Sequence, residues 1–363
     1  MSNKDENRAE LVPSQSVALL QAGATSLVRR GVQELLARAE ADEWFKRGKA
    51  LWDQQQYGEA VECFQHGLQL DPNHADVQQS LGAAYYWGYG VPKQDPAAAA
   101  IWFRKAAEQG RITAQFYLGL MYYEGIGLPQ DHVEALSWSL KAAEQGNSDA
   151  QHNVSVLYSG RKGVPQDFAA AAAWSRKAAQ QGNVHAQFYL SVMYNRGQRV
   201  PKDLVEGAAW ARKAAEQGDP DAQEYLGTLC QLGNGVPKDF LEAAEWHRKA
   251  AQQGHASAQG SLGMMYYHGR GVPLDFVEAE GWFRKAAEQG DATAQEYLGY
   301  MHYRGQGVQE DYAEAARWYR KAAEQGHEPA QRALDDLLRK MKAAKQEGPR
   351  RQRGEQLQSQ PTK

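Results

Sequence analysis

The ten histidines and two cysteines of this chain are the first residues to weigh for metal or nucleophilic chemistry. No two histidines stand at i, i+4, and neither Cys63 nor Cys230 belongs to a CxxC or Cys/His cluster with zinc-ligand spacing. The usual local signatures of hydrolases, zinc proteases and nucleotide-binding loops are absent as well. Gly-x-Gly pairs recur, but each lies between two helical patterns. A phosphate cradle needs a strand leading into a helix, so these glycines are read as turns. His302 is read as a satisfied buried imidazole and Cys230 as a small apolar filler. The sequence therefore assigns no catalytic residue, no cofactor and no metal site.

The elements explain why. The string Lys-Ala-Ala-Glu/Gln-Gln-Gly starts at Lys105, Lys141, Lys177, Lys213, Lys249, Lys285 and Lys321, always 36 residues apart. A tryptophan precedes each lysine by three residues, from Trp102 to Trp318. Ahead of it come a glycine-rich turn such as GNGVP and an apolar pattern such as AQFYLGLMYY. One period thus spells helix A, turn, helix B, turn. In the period starting near Arg111, Ala114, Leu118 and Tyr122 mark the apolar stripe of helix A, and Gly119 allows close approach of helix B. Asp131 caps helix B, with Glu134 placed to reach back in a capping box, and Gly146 ends it. No such unit buries its own tryptophan and leucine face, so the fold must come from stacking.

These motifs resemble Sel1-like repeats, relatives of the tetratricopeptide repeat, over residues 75–326 as seven copies. Residues 41–74 resemble one tetratricopeptide repeat, through Trp44, Gly48, Tyr57, Ala60, Phe64 and Pro72. The resemblance implies an all-α fold, a right-handed α-solenoid of stacked helix-turn-helix repeats. Residues 15–40 are expected to be a helical cap packing on the first repeat, and 327–345 a C-terminal capping helix. Residues 1–14 and the basic tail 346–363, with Arg350, Arg351 and Arg353, are expected to be disordered.

The resemblance also implies that helix A faces line a concave groove. Its partner-binding candidates are Phe45, Lys49, Trp52, Tyr86, Trp87, Phe116, Tyr123, Phe188, Arg196, Tyr267, His268, Tyr300, Tyr303 and Arg304. Aromatic side chains there offer large contact area at low entropic cost. The function expected is a non-enzymatic scaffold or adaptor that binds a protein or peptide. The alternative is a site for a small cell-wall-type ligand, where His152, His185 and Glu224 would converge. Some secreted Sel1-like proteins pair cysteines within each repeat and have been linked to β-lactam binding; this chain lacks those cysteines.

Composition bounds the partners. Lys plus Arg total 41 against 44 Asp plus Glu, a net charge of -3, so no global field draws the chain to nucleic acid. No run of 18 apolar residues and no secretory leader is visible, and two lone cysteines suit a reducing compartment. A cytoplasmic bacterial protein is expected; neither the oligomeric state nor the partner's identity can be read.

Overall fold

In a computed structural model of the chain, which describes residues 13–197 and 200–358, every regular element is an α-helix. Two compact units divide the chain after Asp167. The first holds α1 (Pro13–Asp53), α2 (Tyr57–Leu70), α3 (Ala75–Trp87), α4 (Pro96–Glu108), α5 (Ile112–Glu124), α6 (His132–Glu144) and α7 (Ser148–Tyr158). The second holds α8 (Phe168–Gln180), α9 (Val184–Arg196), α10 (Leu204–Glu216), α11 (Pro220–Leu232), α12 (Phe240–Gln252), α13 (Ala256–His268), α14 (Phe276–Glu288), α15 (Ala292–Arg304), α16 (Tyr312–Glu324) and α17 (Glu328–Gln358). Odd-numbered helices are A and even-numbered ones B. Within each unit every helix packs on the next in sequence.

One repeat, α11 with α12, shows how the spelling dictates this packing. Ala222, Leu226 and Leu229 recur at i, i+4, i+7 and are buried in one cluster with Ala243, Ala244 and Trp246 of α12. Small alanines on helix B let the two helices approach, and the His247 ring fills the space left by the missing side chain of Gly227. Phe103 and Phe283 do the same at Gly82 and Gly263. The turn between the helices needs glycine for two reasons. Gly233 and Gly235 both have positive φ, 76° and 74°, and a Cβ on Gly235 would lie 1.8 Å from the Leu204 carbonyl oxygen.

Helix B starts as expected at Asp239, whose carboxylate accepts from the N–H groups of Leu241 (2.8 Å) and Glu242 (3.0 Å). The second half of the expected capping box is not formed. The Asp239 N–H already donates to the Cys230 carbonyl at 2.9 Å, so Glu242 is free to turn elsewhere. It accepts from the Trp246 indole N–H at 3.2 Å and pairs with Arg212 of the preceding repeat at 2.7 Å. The tryptophans pack between layers as read from their period, and each repeat lysine sits over its tryptophan ring, 3.7 Å from the centroid for Lys249 on Trp246.

A ladder of buried amides joins consecutive repeats. Gln223 Nε2 donates to the Ala215 carbonyl at 3.1 Å, while its Oε1 accepts from Gln253 Nε2 at 2.9 Å. The same pair of bonds recurs at Gln115, Gln187, Gln259 and Gln295. Each glutamine therefore ties the helix B before it to the helix B after it, inside a dry interface where an unmade bond is costly.

The ends differ from expectation. Residues 15–40 do not fold back on the first repeat: they continue into its helix A as the single helix α1, with Val28, Val32, Leu35 and Leu36 exposed. At the other end α17 runs past Lys345 to Gln358, where a structureless tail was expected; Lys, Gln, Glu and Arg are adequate helix formers. The remaining parts of the two expected disordered segments, 1–12 and 359–363, lie outside the described residues.

Candidate functional site

In the first unit three successive A helices, α1, α3 and α5, surround a cavity of about 370 Å³. Phe45, Lys49, Trp52 and Asp53 come from α1, Asp76, Gln79, Ser80 and Ala83 from α3, and Thr113 and Tyr117 from α5. Phe64 and Phe103, from the B helices behind, complete the lining. The rings are held by one another. Phe45 lies 5.4 Å from His74, Trp52 meets Tyr57 edge-on at 4.9 Å, and Tyr117 stacks on Phe103 at 5.2 Å. Asp76 is held by Arg111 of the next repeat. The result is an apolar floor with an exposed ammonium, two carboxylates and an amide around it. Such a surface can seat an apolar side chain and hydrogen-bond the backbone beside it.

The other candidates of this unit sit outside that cavity. Tyr86 is half-buried between Phe103 and Tyr117, at 6.3 and 5.4 Å, so its ring serves the packing of the next repeat. Trp87 is exposed and edge-on to Tyr86 at 4.8 Å. Phe116 lies against Tyr117 at 5.2 Å. Tyr123 is flanked by His132 of α6 at 5.4 Å and by the Arg161 guanidinium at 5.4 Å, which places it on the turn side of its repeat.

In the second unit Tyr267, His268 and Tyr300 line a cavity of about 270 Å³ with Glu296 and Tyr297. Tyr267 is braced by Tyr297 at 5.4 Å and donates to Gln306 at 2.7 Å. Tyr297 in turn stacks on Phe283 at 4.9 Å. A neighbouring cavity of about 170 Å³ is shared by Tyr300, Tyr303, Tyr319, Asp336 and Lys340, with the Lys340 ammonium 4.9 Å above the Tyr303 ring. Arg304 lies 5.9 Å from the Tyr300 ring. Phe188 packs edge-on to Tyr225 at 5.7 Å, and Arg196 is exposed. Burial raises the Tyr225 phenol above its usual range, against the pull of Arg196.

Two ring positions were missed by the sequence reading. Tyr117 and Tyr297 sit one residue after Phe116 and Glu296, each stacked on the helix B phenylalanine fourteen residues earlier. The signal was the tyrosine at this place in several repeats, Tyr117, Tyr189, Tyr225 and Tyr297.

The residues weighed for chemistry are placed as follows. Cys230 is fully buried, and burial pushes its thiol up to about 11, which keeps it protonated and unreactive at neutral pH. His302 is buried as expected, but neither ring nitrogen has a hydrogen-bond partner, so it is not the satisfied imidazole the sequence suggested. His247 is also buried, and burial lowers its pKa to about 4. The Glu224 carboxylate is engaged by the hydroxyls of Thr228 (3.3 Å) and Ser257 (3.2 Å). His152 belongs to the first unit, His185 and Glu224 to the second. Among the described residues no group of three His, Cys, Asp or Glu side chains is placed to hold a metal ion, and no helix is long and apolar enough to cross a membrane.

With this geometry in view, comparison with known proteins is decisive for the family. The Sel1 repeat model matches seven consecutive segments, 75–110, 112–147, 148–183, 184–219, 220–255, 256–291 and 292–327. The chain belongs to the Sel1 repeat family. A tetratricopeptide repeat precedes them at 41–74. Among solved structures, this Sel1 repeat protein is 34% identical to a protective antigen with an SLR fold present in uropathogenic Escherichia coli strains, with a TM-score of 0.75. That match covers 85% of this chain and 66% of the E. coli protein. It is 36% identical to a Sel1 repeat protein from Oxalobacter formigenes, with a TM-score of 0.63, covering 84% of this chain and 89% of that one. No curated protein sequence matches it. The fold class is thus the all-α solenoid of Sel1 repeat proteins, a family that typically provides protein-interaction scaffolds rather than enzymes.

Proposed function

We propose that this Sel1 repeat protein is a non-enzymatic adaptor whose helix A faces bind an extended segment of another protein. The observation that carries this reading is the cavity of the first unit. Three consecutive A helices present aromatic floor and polar edge together, and the exposed Lys49 forms no ion pair among the described residues. The cavity of Tyr267, His268 and Tyr300 offers the second unit a similar aromatic foothold. The partner's complementary chemistry is an apolar anchor next to an acidic residue, which would meet Lys49. The reading includes a reducing, cytoplasmic setting in a bacterium, supported by the two free buried cysteines and the bacterial sources of the similar structures.

Selection of a displayed peptide library on the purified protein tests it. Enriched peptides are expected to carry an apolar residue beside Asp or Glu and to lose at least about tenfold in affinity against Lys49→Glu, the scale of one charged hot-spot contact. Lys49 is exposed, so the variant keeps the fold and its melting temperature. Enriched peptides that bind Lys49→Glu as well as wild type would remove the site from this face.

A further inference from the structure

The proposed binding reading does not account for the first helix. From Thr25 to Glu40, α1 extends beyond the repeat that α2 covers, and nearly every side chain described there is exposed. Four are large and apolar: Val28, Val32, Leu35 and Leu36 are 67%, 50%, 66% and 65% exposed. Val28, Val32 and Leu35 stand at i, i+4, i+7 and form one stripe, with Leu36 at its edge. Gly31 opens a notch beside them: nothing lies within 4 Å of the place its Cβ would take. At about 100° per residue this stripe points roughly half a turn away from Ala41 and Gly48, the buried residues through which α1 meets α2. A second helix can therefore lie along the stripe without meeting α2.

We propose that this stripe is a dimerisation surface and that its occupant is the same stripe of a second copy of the chain, running antiparallel. The charges select this occupant. Charges of both signs flank the stripe, Arg29 and Glu40 on one side and Arg38 on the other, while Glu34 lies further round the helix and pairs with Arg30 at 3.1 Å. An antiparallel copy centred near Leu35 sets Arg29 against Glu40 of the second copy, and the two-fold makes that pair twice. Val32 then meets the small Ala39, and Leu35 meets Leu35 and Leu36, a two-fold arrangement in which the same patch serves both chains. In a parallel copy in register, Arg29 and Glu40 of the second chain would stand about 16 Å apart along the axis, and this pair could not form. The exposed segment spans only about 24 Å of helix, so the dimer is a reversible one of micromolar strength rather than an obligate one. The proposal uses the opposite side of α1 from the repeat core and does not depend on the peptide-binding reading.

Sedimentation velocity of the full chain from about 1 to 200 µM tests it, a range that brackets a dissociation constant in the micromolar class. The mass is expected to rise with concentration from 40.4 kDa toward twice that value. Val32→Glu with Leu35→Glu should hold the chain at the monomer mass throughout, with unchanged helicity because both side chains are exposed. Glu40→Arg should weaken association about tenfold, and adding Arg29→Glu should restore it, which a merely hydrophobic contact would not do. A monomer mass at every concentration would overturn the proposal, as would a dimer indifferent to the two glutamates. Vesicles of phosphatidylcholine and phosphatidylglycerol in equal parts form the last arm. A monomeric chain that floats with them, and loses that binding in the same double variant, would show a lipid surface as the occupant and refute the dimer.

Discussion

At the scale of single residues, the buried imidazole of His247 yields the sharpest expectation. It occupies the helix B position taken by Phe103 and Phe283 in other repeats, facing Gly227 as those rings face Gly82 and Gly263. Burial lowers its pKa from 6.5 to about 4, so the folded state binds its proton more weakly than the unfolded state does. Stability from this group is complete above the unfolded value and is lost progressively as pH falls from about 6.5 to about 4, by on the order of 3 kcal/mol. Replacing it with Phe supplies the ring without the charge. Urea unfolding at pH 7 and pH 4.5 should show His247→Phe losing less stability on acidification than wild type; equal losses would place the acid-sensitive group elsewhere. Gln223 offers a second residue-level test. Gln223→Ala removes one bond each from the Ala215 carbonyl and the Gln253 amide, which keep their bonds to the Gly218 N–H and carbonyl, and should cost about 1–3 kcal/mol in the same assay; a neutral result would mean that the amide ladder contributes nothing. This ladder was visible as a glutamine repeated every 36 residues, yet a polar residue on a helix gives no sign of which distant group it bonds. The Asp-x-x-Glu motif misled for a related reason. The amide that the glutamate was to cap is consumed by a carbonyl of the preceding helix, and only the fold brings that carbonyl near.

At the scale of elements, helix starts, turns and the packing role of the tryptophans were legible because each depends on neighbours within a few residues. Contacts between repeats were not. Tyr86 and Tyr267 lie on the expected face of helix A, but the rings of the following repeat reach over and half-bury them. The stripe on a helix identifies its face; how much of that face stays open depends on the bulk of Tyr117 and Tyr297, thirty residues further on. The turns carry an expectation of their own. Gly235→Ala combines a positive φ with a backbone clash against Leu204, whereas Gly254→Ala meets a positive φ of 91° in open space. The first should lower the melting temperature well beyond the second, whose cost is about 1 kcal/mol of backbone strain. Comparable melting of the two variants would mean that the turn does not abut the preceding helix B.

For the whole molecule, a stack of similar repeats buries its core between neighbours, and the proposed function assigns its A faces to a ligand. The 36-residue period pointed to stacked two-helix repeats, and the family followed from the resemblance of the motifs it carries. The proposed partner site depends on side chains that differ from repeat to repeat: Phe45, Lys49 and Trp52 gather at one cavity while Phe116 and Tyr123 fall away from it. Hydroxyl-radical footprinting of the protein, alone and saturated with a peptide selected on it, addresses this assignment most directly. The account expects protection at Phe45, Trp52 and Tyr117, with the helix B tryptophans unchanged. Protection confined to helix B side chains, with those three rings as reactive as in the free protein, would contradict it.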